Sequence, residues 1–299
     1  MRYSEDTLKS WSSPLSEAEN QRVKNTISMI ESALSAHVGM RSLKYKVILQ
    51  GSYANNTNVR QNSDVDICVM LTSSFEAEYV YGYTDKDYGY LSGGTSYYTF
   101  KQYVIEALRN KFGYSVVSVG NKCINIGDNT YHVNADVIPA YQYRNYKALN
   151  SRDPNRFVEG ILFYAADGTK IINYPEVHKE NGIEKNIQTK YQYKKLVRMI
   201  KNIRNKMADD KKVNENAITS FLIECLIWNV PNNYITGSNT WNETIQNTIA
   251  CLYTEMNKGN YTNWTEVSKM FPLFRSGQKW SVNDVSSFLL DMYSYLGYV

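Results

Sequence analysis

The chain has 299 residues, 43% hydrophobic and 21% charged, with a formal charge of +4. That length allows one large core or two modest ones and excludes a lone small binding module, while the composition excludes disorder. The positive excess is too small and too dispersed to mark a nucleic-acid binder by electrostatics, so any phosphate recognition has to be local. The stretch Met1 to Leu15 mixes acidic and polar residues with few apolar ones and is no signal peptide. No later stretch is apolar enough to span a bilayer, so a cytoplasmic protein without membrane contact is expected.

Ser16, with Glu19 at the capping-box position, opens an amphipathic helix through Val23, Ile27, Met29, Ile30 and Leu34 that ends near Gly39. Tyr45 to Gln50 is a short β-favouring run that stops at the turn Gly51-Ser52. Asn62 and Ser63 lead into a second strand, Asp64 to Met70, in which Val65, Ile67 and Val69 alternate with the other face. Helical spacing returns from Tyr98 to Phe112 and ends at Gly113. Short β-like runs follow at Ser115 to Val119, Lys122 to Ile126 and Tyr131 to Ala140, then a hairpin around Asp167-Gly168. Asn173 to Asn186, with Pro175, reads as a polar connection. Beyond it Thr189 to Met207, Ala217 to Val230, Trp241 to Met256 and Val282 to Leu296 are all helical in pattern. The expected fold is therefore α/β plus α, with a mixed-sheet lobe over residues 1–187 and a helical lobe over residues 188–299.

Two carboxylates, Asp64 and Asp66, sit at i and i+2 of a strand and project from one face, where they repel unless cations lie between them. Hard oxygen ligands of this kind suit Mg²⁺. A third acid, Asp136, lies among apolar and small neighbours in Tyr131 to Pro139 and needs a partner. Three acids suffice for two metal ions, one activating an attacking hydroxyl and one stabilising a leaving oxygen. Gly51 permits close backbone approach to a phosphate, and the Ser52 hydroxyl can donate to its oxygens. A Gly-Ser turn alone is ordinary, and two acids at a strand end are often only solvated. Strand, Gly-Ser turn, linker and Asp-x-Asp with a downstream strand acid form a far rarer combination. The four cysteines, Cys68, Cys123, Cys225 and Cys251, are isolated and read as buried thiols. The 26 tyrosines show no period and point to no function.

The pattern Gly51-Ser52, then Ser63-Asp64-Val65-Asp66-Ile67, resembles that of the polymerase-beta-like nucleotidyltransferases. Nearly the whole chain resembles the CD-NTases, bacterial relatives of cyclic GMP-AMP synthase and oligoadenylate synthase. The likeness includes Phe163 to His178 and the helix around Leu196 to Lys201. On that helix Leu196, Val197, Ile200, Ile203 and Met207 form the apolar face, and Lys194, Arg198, Lys201 and Asn205 form a basic stripe that by itself reads as a solvated surface. The resemblance implies that Lys201 grips a donor triphosphate. It implies the same for Ser220, which could equally be only a helix cap, and it implies that Phe221 stacks on the donor base. It further implies nucleotides held between the lobes, two Mg²⁺ ions for which Mn²⁺ can substitute, and ATP and other nucleoside triphosphates as substrates. The expected product is a cyclic di- or trinucleotide second messenger in antiphage (CBASS) signalling, with pyrophosphate leaving.

The zinc-binding insertion of the animal DNA sensor is absent, so double-stranded DNA is not an expected partner. A monomer is expected, with room for an activating protein or regulatory cue. The alternatives are transfer to an RNA 3′ end or a small molecule, which the charge balance does little to favour, and a catalytically silent nucleotide-binding partner, against which three retained acids speak.

Overall fold

The computed structural model describes the whole chain except Met1, Leu15, residues 60–63, Ser92, Glu215 and Val299. Asn62 and Ser63 therefore lie outside the described residues. In chain order the elements are α1 (Glu5–Trp11), α2 (Glu17–Ala36), β1 (Tyr45–Gln50), α3 (Gly51–Ala54), β2 (Val65–Glu78), α4 (Tyr97–Phe112), β3 (Val117–Val119), β4 (Ile124–Ile126), β5 (Ala135–Asn145), β6 (Val158–Tyr164), β7 (Lys170–Asn173), α5 (Pro175–Gln188), α6 (Tyr193–Asp209), α7 (Ser220–Trp228), α8 (Asn232–Thr236), α9 (Trp241–Asn257) and α10 (Val282–Tyr295). They fall into a sheet unit, Ser16–Tyr53 with Arg60–Glu176, and a helical unit, Met1–Leu15 and Ala54–Val59 with Val177–Val299.

In the sheet unit β2 is the hub, antiparallel to β1 and parallel to β5. β5 in turn pairs antiparallel with β4 over its first residues and with β6 over its last, and β3 and β7 lie outside these. The β6–β7 hairpin turns at Gly168, whose φ of +84° favours glycine. Val65, Ile67 and Val69 are buried on one face of β2, while Cys68 and Met70 continue the face of Asp66 into a cluster with Ala140, Ile161 and Phe163. Asp66 is thus the polar beginning of an otherwise apolar stripe. Helix α2 opens with the full capping box, Ser16 accepting from the Glu19 N–H and Glu19 accepting from the Ser16 N–H.

In the helical unit α6 is central. Tyr193, Leu196, Val197, Ile200, Ile203 and Met207 pack with Leu222, Ile223, Ile249, Phe288 and Met292 in one core, each fully buried side chain contributing about 1.5–3 kcal/mol. Two expectations are corrected here. The supposed polar connection contains α5, which begins at Pro175, a residue suited to the first helical position. Its buried residues are His178, Gly182 and Lys185, so no apolar period announces it. The division between units accordingly falls at Glu176 and Val177, and residues 1–15 and 54–59 pack with the helical unit. The supposed basic stripe of α6 is also not solvated: Lys194, Arg198, Lys201 and Asn205 are all buried. Arg198 donates to the carbonyls of Ser12 and Asn56, and Lys201 to that of Thr57, so segments distant in sequence cover this face with acceptors.

Candidate active site

Gln50, Asp66, Asp136 and Asn125 are successive Cα partners across β1, β2, β5 and β4, and so share one face of the sheet. Asp64 stands one residue before β2, exposed, where strand had been expected to begin. Where β1 ends, Gly51 adopts φ +67°, and a Cβ built on it would lie 2.0 Å from Asp66 Oδ2. Glycine is demanded twice, by the left-handed backbone and by the pressing carboxylate. Ser52 follows, half-buried in α3.

Burial first, then the charges of Asp136 and Asp64, push the Asp66 carboxyl up to about 7. Asp64 is raised by burial and by Asp136 and Asp128, against a hydrogen bond from Asn134 that lowers it. Asn125 Nδ2 donates to Asp136 Oδ1 at 2.5 Å. Cys123, expected to be buried, is half-buried, and its Sγ accepts from the same amide at 3.5 Å; the other three thiols are buried and all four are free. The carboxylates are hard oxygen donors whose mutual repulsion a divalent cation would relieve, and in this they fit such an ion. Among the described residues no three His, Cys, Asp or Glu side chains already converge into a cage.

In the helical unit the residues expected to hold a triphosphate part company. Lys201 is 1% exposed, and its ammonium donates to the carbonyl and hydroxyl of Thr57 and pairs with Glu224 Oε2 at 3.4 Å. Glu224 also receives Thr57 Oγ1 at 2.8 Å and meets His178 Nε2 at 3.1 Å. Burial works to raise Glu224, but Lys201, His178 and Thr57 outweigh it and hold the carboxyl down to about 2. Lys201 is therefore an interior cation paired with Glu224 in this structure. Ser220 is the first residue of α7 and not its cap; Thr219 is the cap, accepting from the Leu222 N–H. Ser220 Oγ is half-exposed and accepts from Arg204 Nη2 at 2.8 Å. Phe221 is 39% exposed and tilts against His178 and Trp280, with ring centroids 5.8 and 6.2 Å away.

Asn125, Thr57, His178, Thr219 and Glu224 escaped the sequence reading. Only Asn125 carried a signal, a polar residue between Ile124 and Ile126 in a β-like run, marking the face opposite the core.

Residues 180–297 match the cGAS/DncV-like nucleotidyltransferase C-terminal helical domain, and residues 27–125 match the nucleotidyltransferase domain. A cyclic dipyrimidine nucleotide synthase of Cecembia lonarensis is 38% identical over 296 residues, covering 99% of each chain. The chain belongs to the cGAS/DncV-like nucleotidyltransferases. A cyclic dipurine nucleotide synthase of Elizabethkingia meningoseptica is 39% identical over 304 residues, covering 100% of each chain. The structure of the Rhodothermus marinus c-UMP-AMP synthase with Apcpp and Upnpp superposes with a TM-score of 0.87 at 30% identity, covering 99% of this chain and 97% of that one. As a member of this family the chain is a nucleotidyltransferase of a type that generally uses divalent metal ions, with the mixed sheet and C-terminal helical domain expected of it. No helix among the described residues is long and apolar enough to cross a membrane.

Proposed function

We propose that this protein is a cyclic oligonucleotide synthase that joins two or three nucleoside triphosphates into a ring, releasing pyrophosphate at each linkage, as a second messenger in bacterial antiphage defence. The observation that carries this reading is the row Asp66–Asp136 with Gly51 pressed against it, in a chain similar over its whole length to cyclic nucleotide synthases. Asp64, Asp66 and Asp136 would hold two Mg²⁺ ions, or Mn²⁺ in their place. Once bound, such ions neutralise phosphate charge and lower the pKa of an attacking hydroxyl. Gly51 keeps the backbone bare beside Asp66, and Ser52 presents a hydroxyl donor to a phosphate oxygen. Ser220 offers a second hydroxyl at the start of α7, where the positive end of the helix dipole favours anionic oxygen. Phe221, backed by His178 and Trp280, presents a ring face for stacking a base. Lys201 serves this reading indirectly, holding Thr57 and Glu224 in place.

The test is incubation with all four ribonucleoside triphosphates and Mg²⁺ or Mn²⁺, without template. The expected product resists alkaline phosphatase and has the mass of two or three nucleotide monophosphate units less the water lost at each linkage. Single-label reactions then identify the bases, which differ among relatives of nearly equal identity, one a dipyrimidine and another a dipurine synthase. Phosphatase-sensitive linear products, or incorporation only into added RNA, would overturn the cyclic reading. Absence of both nucleotide turnover and nucleotide–metal binding by calorimetry would overturn the enzymatic one.

A further inference from the structure

The acids of the sheet unit differ in their hydrogen-bonded support. Asp64 is bonded by Asn134, and Asp136 Oδ1 receives Asn125 Nδ2. Asn125 is the Cα partner of Asp136, on the same face, and its strand is anchored by the buried Ile124 and Ile126 on either side. A carboxylate only accepts, so the amide has to turn its NH₂ toward Asp136. The rest of the amide is placed as well. Its Nδ2 also reaches Cys123 Sγ at 3.5 Å, and a Cβ at Gly120 would lie 3.0 Å from its Oδ1. The amide therefore sits in a slot between the Cys123 thiol, the Gly120 backbone and the third acid.

We infer that Asn125 is a positioning residue for Asp136. It holds Oδ1 by a charge-assisted hydrogen bond and thereby fixes the orientation in which Oδ2 faces a divalent cation. The inference rests on the proposed metal role of Asp136. Side chains that orient a ligating carboxylate typically change metal affinity or activity by about 10- to 100-fold when removed.

Asn125→Leu keeps the volume and removes the donor; Asn125→Ala removes both and is read in its place if the leucine variant does not fold. Mn²⁺ binding to the nucleotide-free protein is measured by calorimetry, alongside the metal concentration giving half-maximal activity, kcat at saturating metal, and the melting temperature without metal. The expected result is a 10- to 100-fold weaker Mn²⁺ Kd and a matching rise in the half-maximal metal concentration. kcat at saturating Mn²⁺ recovers to within a few-fold, and the metal-free melting temperature shifts little. Unchanged Mn²⁺ affinity in a folded variant overturns the inference and leaves the proposed function standing. A fall in kcat at every metal concentration, tracking a lowered melting temperature, also overturns it, in favour of a purely structural role. Failure of the unaltered protein to bind Mn²⁺ without nucleotide, with turnover intact, overturns the inference alone, and absence of both turnover and nucleotide–metal binding overturns the proposed function as well.

Discussion

Asp66 and Asp136 are Cα partners across the parallel pair β2 and β5, so two carboxylates that repel each other project side by side from one face of the sheet. Replacing either with Asn keeps shape and hydrogen-bonding capacity but deletes a charge. Activity should fall by about 10²- to 10³-fold or more, the scale of losing one preorganised electrostatic contact. The melting temperature of the metal-free protein should hold or rise, because repulsion is relieved. Both are read from initial rates and thermal unfolding of the single variants.

The same pair sets a pH dependence. Asp66 has a folded pKa raised to about 7, so between the ordinary carboxylate range and about 7 the folded state binds more protons than the unfolded state. Stability of the metal-free protein should therefore fall as pH rises through that window. Denaturant midpoints measured from pH 4 to 8 should show this slope. Asp66→Asn should flatten it, and so should saturating Mg²⁺, which favours the charged carboxylate.

Gly51→Ala introduces a Cβ at 2.0 Å from Asp66 Oδ2 at a φ of +67°. The backbone term alone costs about 1–2 kcal/mol, and relief of the clash has to move the carboxylate. A loss of activity greater than the loss of stability predicts is expected, seen as a low kcat at temperatures well below unfolding.

Ser220→Ala and Thr219→Ala should separate ligand contact from helix capping. Thr219 holds the Leu222 N–H, so its loss should cost about 0.5–2 kcal/mol of stability. Ser220→Ala should leave the cap intact and raise the KM for nucleoside triphosphate, by roughly tenfold or more if its hydroxyl meets a phosphate at about 1.5–3 kcal/mol. Melting temperature beside steady-state kinetics distinguishes the two.

Lys201→Met leaves Glu224 charged in the core and should destabilise by about 3–5 kcal/mol. The double variant Lys201→Met with Glu224→Leu removes both charges and should recover part of that loss. Glu224 is held down to about 2, so its contribution is complete above its unfolded pKa and is lost as pH falls toward 2. Chemical denaturation of the single and double variants, with an acid titration of the unaltered protein, checks all three statements.

The local order of residues decided much of this molecule. Alternation marked β2, the capping box at Ser16 marked α2, and Gly51-Ser52 with Asp64 and Asp66 marked the acidic centre. Each is a short-range signal, in which spacing along the chain sets which face a side chain occupies. Which residues stand opposite one another was decided only by tertiary structure. No spacing places Asn125 beside Asp136, because register across β4 and β5 depends on how the strands pair. The polar face of α6 looked solvated because amphipathicity shows which side is polar but not what covers it. Ser12, Asn56 and Thr57 bring carbonyls to that side for Arg198 and Lys201. Helix α5 stayed hidden for a related reason: its inward residues His178 and Lys185 are polar and find their partners, Glu224 and the Val230 carbonyl, tens of residues away. Apolar burial leaves a period in the sequence, whereas burial paid for by specific hydrogen bonds leaves none until the partners meet.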